Sequence, residues 1–301
     1  MDNKNESAKL KKYLSVNDLC HDLGFKPEVV KDIAKNIDSF YYDNPKEDKK
    51  GKIRPFQCTK GIAKVIQKRL HKILRKYDFP DYMLGVVKGK SITDNALIHL
   101  GSKTVVTIDI KSCFPNTTEE KVYFTLKKLL GFSTKVAKLI TKLVTYKGAV
   151  PQGTPSSSVI VAFCLTKMCC ELDIFCQGKE IVISLWADDL SFSGGKPELY
   201  IADYIKIFQK YGYSCRAKKI KVWSGKKHKE ITGRAIDNNR ITVPKDKIKE
   251  CSHMIVGLKK GTINQTAIPS ISGKLANIKS VDNKKYKKLI LLANKLNIDI
   301  K

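Results

Sequence analysis

An α+β fold is predicted by three features of the chain. Two β-branched, apolar runs, at 103–110 and 181–193, each carry acids at a turn, the composition of strands in a buried sheet. Apolar side chains recur at helical spacing after residue 59 and towards both ends of the chain. Gly, Pro, Asn and Asp clusters punctuate these segments. With 301 residues and 42% hydrophobic content, there is material for one large domain or two small ones.

Residues 1 to about 45 read as a helical prelude. Ser15 and Asp18 are spaced as a capping box, and Val29, Val30, Ile33, Ile37 and Phe40 follow at helical spacing. A Lys-rich turn leads into Gly51-Lys52-Ile53-Arg54. Thr59 is then expected to cap an amphipathic helix whose core stripe is Ile62, Ile66, Leu70, Ile73 and Leu74. The segment Asn95-Ala96-Leu97-Ile98-His99 is expected on a helix ending near Gly101. A lone helical His is by default a satisfied structural residue.

The strand at 103–110 ends at Asp109, and Lys111-Ser112-Cys113-Phe114-Pro115-Asn116 breaks it into a loop. Pro151-Gln152-Gly153-Thr154-Pro155 is a turn whose Gly lets backbone approach a ligand, and it leads into the apolar stretch 159–172. Next come Ile181-Val182-Ile183-Ser184-Leu185, then Trp186-Ala187-Asp188-Asp189, then Leu190-Ser191-Phe192-Ser193. That is strand, tight turn, strand, with two carboxylates at the tip. Asp-rich turns are common by themselves, because Asp hydrogen-bonds its own backbone. Oxygen ligands suit hard cations such as Mg²⁺. If the two strands are neighbours, Asp109 and Asp188 can share a pair of metals, as in sites that hold two ions about 3.5–4 Å apart for phosphoryl displacement. From about Lys245 the chain is Lys-rich with Leu275, Ile278, Leu289, Leu291, Leu292 and Leu296 at helical spacing, which predicts a helical C-terminal region.

Lys and Arg number 57 against 29 Asp and Glu, a formal net charge of +28. The natural partner of such a chain is a polyanion whose phosphates release counterions on binding. The excess is mostly Lys, which favours backbone and shape recognition over bidentate base reading. No run approaches the roughly 20 apolar residues of a membrane span, and the first residues lack a signal-peptide apolar region. A cytoplasmic location without membrane association is expected. Nine cysteines without C-x-x-C spacing read as reduced thiols, with no zinc site or disulfide.

In their order and spacing, D-x4-F at Asp109 and Phe114, P-Q-G at 151–153 and an aromatic followed by A-D-D at 186–189 resemble a reverse transcriptase. The likeness runs from about Lys52 to the C-terminal region. Asn95-Ala96-Leu97-Ile98-His99 is similar to the N-A-x-x-H motif of retron reverse transcriptases, and Ile231-Thr232-Gly233 to their V-T-G motif. The resemblance implies a right-hand polymerase: the prelude at 1–45, fingers and an antiparallel palm sheet with helices at 46–240, and a helical thumb at 241–301 that binds RNA or duplex. It implies two Mg²⁺, replaceable by Mn²⁺, on the catalytic residues Asp109, Asp188 and Asp189, with Asp188 the more direct ligand of the adjacent pair. Lys52 and Arg54 would hold the incoming triphosphate, Phe114 would exclude a 2′-hydroxyl, Gln152 and Gly153 would line the nucleotide pocket, and Lys219, beside Lys218, would lie near the nucleotide. Trp186, Lys274 and Lys279 would meet primer or template. Asn95, His99, Ile231, Thr232 and Gly233 would recognise RNA, although Asn95 and His99 have bracing the palm as their alternative. A solvated turn is the plain alternative for Lys52 and Arg54, and a core ring for Phe114.

The implied partners are deoxynucleoside triphosphates, a cognate structured RNA and its branched RNA-linked single-stranded DNA product (msDNA), primed from an RNA 2′-hydroxyl. A separately encoded effector protein in an anti-phage defence system is also implied. The chain departs from the family pattern at Trp186, usually Tyr, at Ser158, often Pro, and at Ile231, usually Val. Two alternatives stay open: a group II intron-like or other defence-associated reverse transcriptase, and a catalytically inactive RNA-binding scaffold.

Overall fold

A computed structural model describes residues 11–47, 51, 53–225, 229–237 and 240–300. The chain opens with α1 (Val16–Leu23) and α2 (Pro27–Lys35). Ser15 caps α1 by accepting from the Asp18 amide at 3.1 Å, and Gly24 ends it in the left-handed conformation. Val30, Ile33 and Ile37 are buried, whereas Val29 is exposed. Short strands β1 (Tyr41–Asp43), β2 (Lys46–Glu47), β3 (Ile53–Arg54) and β4 (Gln57–Thr59) follow, pairing as β1 with β4 and β2 with β3. Helix α3 (Gly61–Leu74) carries the expected stripe, with Ile66, Leu70 and Leu74 fully buried. Its N-cap is Lys60 rather than Thr59. Thr59 belongs to β4, where its hydroxyl donates to Gln67 Oε1 at 2.7 Å in a buried pair; being one residue too early, it is spent on tertiary bonding.

The short helix α4 (Ile92–Leu97) is locked at its start by a Ser91/Asp94 capping box. It stops four residues short of Gly101, where the left-handed backbone suits glycine. Strand β5 (Val105–Asp109) is followed by α5 (Cys113–Asn116), α6 (Glu119–Lys128), α7 (Thr134–Val144) and the 21-residue α8 (Ser157–Gln177). The hairpin β6 (Ile181–Trp186) and β7 (Asp189–Gly194) comes next, then α9 (Ile201–Lys210) and β8 (Lys221–Trp223). These strands form one antiparallel sheet in the order β6-β7-β5-β8. Alternation along each strand sorts the side chains by face. Ile108, Leu190, Phe192, Ile183 and Leu185 are buried in the main core, which also takes in α8 and the prelude residues Leu19, Val30 and Ile33. Thr107, Ser184, Ser191 and Ser193 occupy the alternate positions.

A second sheet is made by β9 (Lys229–Ile231), β10 (Arg234–Asp237) and β11 (Arg240–Thr242). Helices α10 (Lys245–Lys259), α11 (Ile268–Lys279) and α12 (Asn283–Lys295) complete the chain around a separate core containing Cys251, Ile255, Ile271, Leu275, Ile278 and Leu289. Leu291 departs from expectation: it is 58% exposed, on the outward side of α12. All nine cysteines are free thiols. Among the described residues no helix is long and apolar enough to cross a membrane.

Candidate active site

Strand pairing brings the three acids together. Asp109, at the end of β5, lies directly opposite Asp189, the first residue of β7, and Trp186 flanks Asp189 on β6. Ala187 takes a left-handed φ of 57° to make the turn. Asp188 sits at its tip, and its carbonyl accepts from the Ile110 amide at 3.1 Å, so the turn is stitched to the end of β5. Leu185 N–H donates to Tyr82 O at 2.7 Å from the other side. The backbone around Gly85 packs so closely on this turn that a Cβ there would lie 2.5 Å from Ala187 N, a contact no other residue permits.

The acids disfavour one another's ionised forms. Burial, and then the charge of Asp109, raises the Asp188 carboxyl above its usual range, with Lys219 and Arg54 pulling it back. Although Asp189 meets solvent, the surrounding protein, Asp188 and Asp109 push it to about 6. Such a cluster calls for cations. One is already present: Lys219, at the end of a short turn at Ala217–Lys219, donates its ammonium to Asp109 Oδ2. Of the two neighbouring lysines, it is therefore Lys219 that faces the acids. Carboxylate oxygens alone suit a hard divalent ion. Among the described residues, however, no three acids, histidines or cysteines are gathered as a ready-made metal cage. The donor chemistry fits such an ion, with the Lys219 ammonium now occupying one of the Asp109 oxygens.

An open cleft of about 590 Å³ lies over this edge, lined by Asp109, Trp186, Asp189, Lys219, Thr232 and Gly233 among others. Phe114 stands apart from it, in α5, where it shares a small cavity with Gly85, Ala187 and Ala162 beside the acid turn. Gln152 accepts from the Gln57 amide at 2.7 Å through its carbonyl, tying the P-Q-G turn to β4. Gly153, at φ 109°, packs where a Cβ would meet Phe56, Gln57 and Cys58 at 3.1 Å. Arg54 is exposed on β3, within electrostatic range of Asp188. Lys52 lies outside the described residues.

The RNA-recognition set divides. Thr232 and Gly233 line the cleft. His99 is fully buried, with Nδ1 2.7 Å from Ser193 Oγ and Nε2 2.7 Å from Ser184 Oγ. Both ring nitrogens are engaged across β6 and β7, the geometry of the palm-bracing alternative. Burial holds its pKa down at about 4, so the ring is neutral. Asn95 and Ile231 are likewise fully buried. Asn95 Nδ2 donates to Thr232 Oγ1 at 3.3 Å and supports that residue from behind. In the C-terminal helices, Lys274 is paired with Glu250 at 3.1 Å, while Lys279 is exposed and lies over the Tyr286 ring.

Sequence reasoning missed Gly85, Ser184, Ser193 and Arg234. The serines carried a signal: polar residues alternating with core residues in both strands of a hairpin require a polar partner on that face.

A family described as reverse transcriptase (RNA-dependent DNA polymerase) matches residues 44–255. The retron Ec86 reverse transcriptase of Escherichia coli is 27% identical over 230 residues, covering 75% of this chain and 71% of that one. The retron Se72 reverse transcriptase of Salmonella heidelberg is 34% identical over 133 residues, covering 44% of this chain and 34% of the relative. Among solved structures, telomerase from Candida albicans in complex with a fragment of telomeric RNA aligns with a TM-score of 0.51 at 12% identity. That alignment covers 88% of this chain and 60% of the other, a likeness of fold alone.

Proposed function

The chain belongs to the reverse transcriptase family of RNA-dependent DNA polymerases, and from that premise we propose that it is a retron enzyme that copies part of a cognate structured RNA into branched, RNA-linked single-stranded DNA. The observation that carries the reading is the register that sets Asp109 opposite Asp189, with Asp188 at the adjoining turn, at the edge of a cleft. Asp109, Asp188 and Asp189 would hold two Mg²⁺, with Mn²⁺ able to substitute. When bound, the ions would lower the pKa of the attacking hydroxyl and neutralise charge on the triphosphate and leaving pyrophosphate.

The chain's own residues do the rest. Lys52 and Arg54 hold the triphosphate, and Lys219 exchanges its carboxylate partner for the nucleotide's charge. Phe114 excludes a ribose 2′-hydroxyl by bulk, a difference realised in the transition state. Gln152 and Gly153 shape the nucleotide pocket. Trp186 offers a flat ring to the primer, and Thr232 and Gly233 offer a hydroxyl and open backbone to RNA. The region from 241 is a thumb whose lysines, Lys279 and Lys274 among them, follow a duplex by its phosphates. Priming from an RNA 2′-hydroxyl, a separately encoded effector and a part in anti-phage defence in the bacterial cytoplasm belong to the same proposal. Its support is the similarity to retron enzymes together with a net charge of +28.

The test is to express the gene with its native flanking DNA, purify the protein and run the co-purifying nucleic acid on a denaturing gel, with and without RNase and debranching enzyme. A discrete single-stranded DNA whose mobility shifts after both treatments is expected. RNA alone, or heterogeneous DNA, would contradict the retron reading.

A further inference from the structure

Arg234 follows directly on the Ile231-Thr232-Gly233 turn. Thr232 and Gly233 both take left-handed backbone, at φ 46° and 79°, and close a two-residue hairpin that pairs Ile231 with Arg234. The guanidinium is turned inward and the residue is 4% exposed. Its donors run to two other parts of the molecule. Nε donates to Thr93 Oγ1 at 3.0 Å, in the capped first turn of α4. The two terminal nitrogens donate to Asn277 Oδ1 at 2.7 Å and Ser280 Oγ at 3.4 Å, at the C-terminal end of α11. These three acceptors are neutral, and burial lowers the guanidinium pKa from its usual value.

The surroundings make this node the more important. The α10–α12 bundle has a hydrophobic core of its own, separate from the palm core. Where the two regions meet there is an open cleft of about 380 Å³, with Ile92 and Gly233 on one wall and Lys247, Gly273 and Lys274 on another. A planar fork with donors in fixed directions fixes an angle between the elements it joins, which a flexible ammonium does not. We propose that Arg234 is a positioning residue that pins the thumb to the palm at one angle, and that this pin sets how many nucleotides are added per encounter with a template while leaving the addition step itself alone. The second half rests on the polymerase reading above; the first half does not.

Two measurements on the full-length protein separate the halves. Hydrogen–deuterium exchange, without nucleic acid, is compared for wild type, Arg234→Lys and Asn277→Ala, the last a mild change on the thumb side in case the first folds poorly. In both variants, exchange across Ile92–Leu97 and Ile268–Lys279 is expected to rise about tenfold, the loss of one charge-assisted hydrogen bond, with Ser157–Gln177 unchanged. Unchanged exchange in α4 and α11, or a rise that includes α8, overturns the pin. Extension of a primed RNA template is then run with a trap that prevents rebinding. Mean product length is expected to fall several-fold while the rate of the first addition stays within about twofold of wild type. Products of wild-type length, or equal losses of length and first-addition rate, overturn the link to synthesis. A wild-type protein that extends nothing overturns the polymerase reading and that link, and exchange still decides the pin.

Discussion

In the palm, Ile108, Leu190 and Phe192 are buried on one face of the sheet, Phe192 is stacked on Tyr204 at 4.0 Å, and the other face is bridged by His99 between two serines. In the C-terminal bundle the buried core is eight residues, and polar bonds from Arg234 reach its α11 from the palm. The palm is held from both faces, and the bundle by its own core and by the bonds from Arg234. In the proposed function the acids must keep their geometry to within about half an ångström, and packing on both faces of the sheet favours that. In the proposed function the bundle would follow a duplex by its phosphates, a role that tolerates movement.

The largest effect that sharpens this comparison is chemical rather than structural. Asp188→Asn is expected to lower nucleotide incorporation by about a thousandfold or more, and Asp189→Asn by less, since these acids stabilise charge in the transition state. Circular dichroism of both variants should match wild type, because the turn is held by Ile110, Tyr82 and Gly85 rather than by the carboxylates. Loss of fold in either variant would break the comparison.

Packing comes next. Phe192→Ala should cost about 3–5 kcal/mol, with the palm unfolding earlier in urea. Leu289→Ala should cost nearer 2 kcal/mol and lower protection only in α10–α12. Equal costs in a single shared transition would show the two regions to be one.

His99 gives a pH-dependent probe of the palm alone. Its pKa is depressed in the folded state, to about 4 from an ordinary 6.5. Its neutral form therefore contributes fully above about pH 6.5, and that contribution is lost as pH falls towards 4, on the order of 3 kcal/mol in all. Urea midpoints of wild type should fall over this window more steeply than those of His99→Gln; parallel slopes would remove His99 from the account. The smallest effect belongs to the thumb surface. Lys279→Ala should leave stability within about 0.5 kcal/mol and reduce the salt slope of duplex binding by about one.

Much of the palm was legible because its signals are local. Asp109 and the Asp188-Asp189 tip stand at the ends of short β-rich runs, and alternation assigns their faces without knowledge of partners. The helix of 61–74 follows from apolar spacing for the same reason, whereas 157–177, apolar on all sides, shows only as an apolar stretch. What was not legible depends on residues distant in sequence. Between RNA contact and bracing the palm, the sequence could not place His99, because its partners lie 85 and 94 residues away. Asn95 meets Thr232 from 137 residues off, and Arg234 meets Thr93 from 141. A polar side chain bound for the interior looks the same in sequence as one bound for a ligand, and only the fold says which. Thr59 erred by one residue, within the usual blur of helix ends. Leu291 fits a helical period but falls on the outer side of α12.

The most direct test of the account is incorporation of deoxynucleotides on a primed RNA template in Mg²⁺ by wild type and by Asp109→Asn, with the fold of each checked in the same buffer. The account predicts template-dependent DNA synthesis by wild type and its loss, by about three orders of magnitude, in a variant that remains folded. Comparable synthesis by the two proteins, or none by a folded wild type, would contradict it.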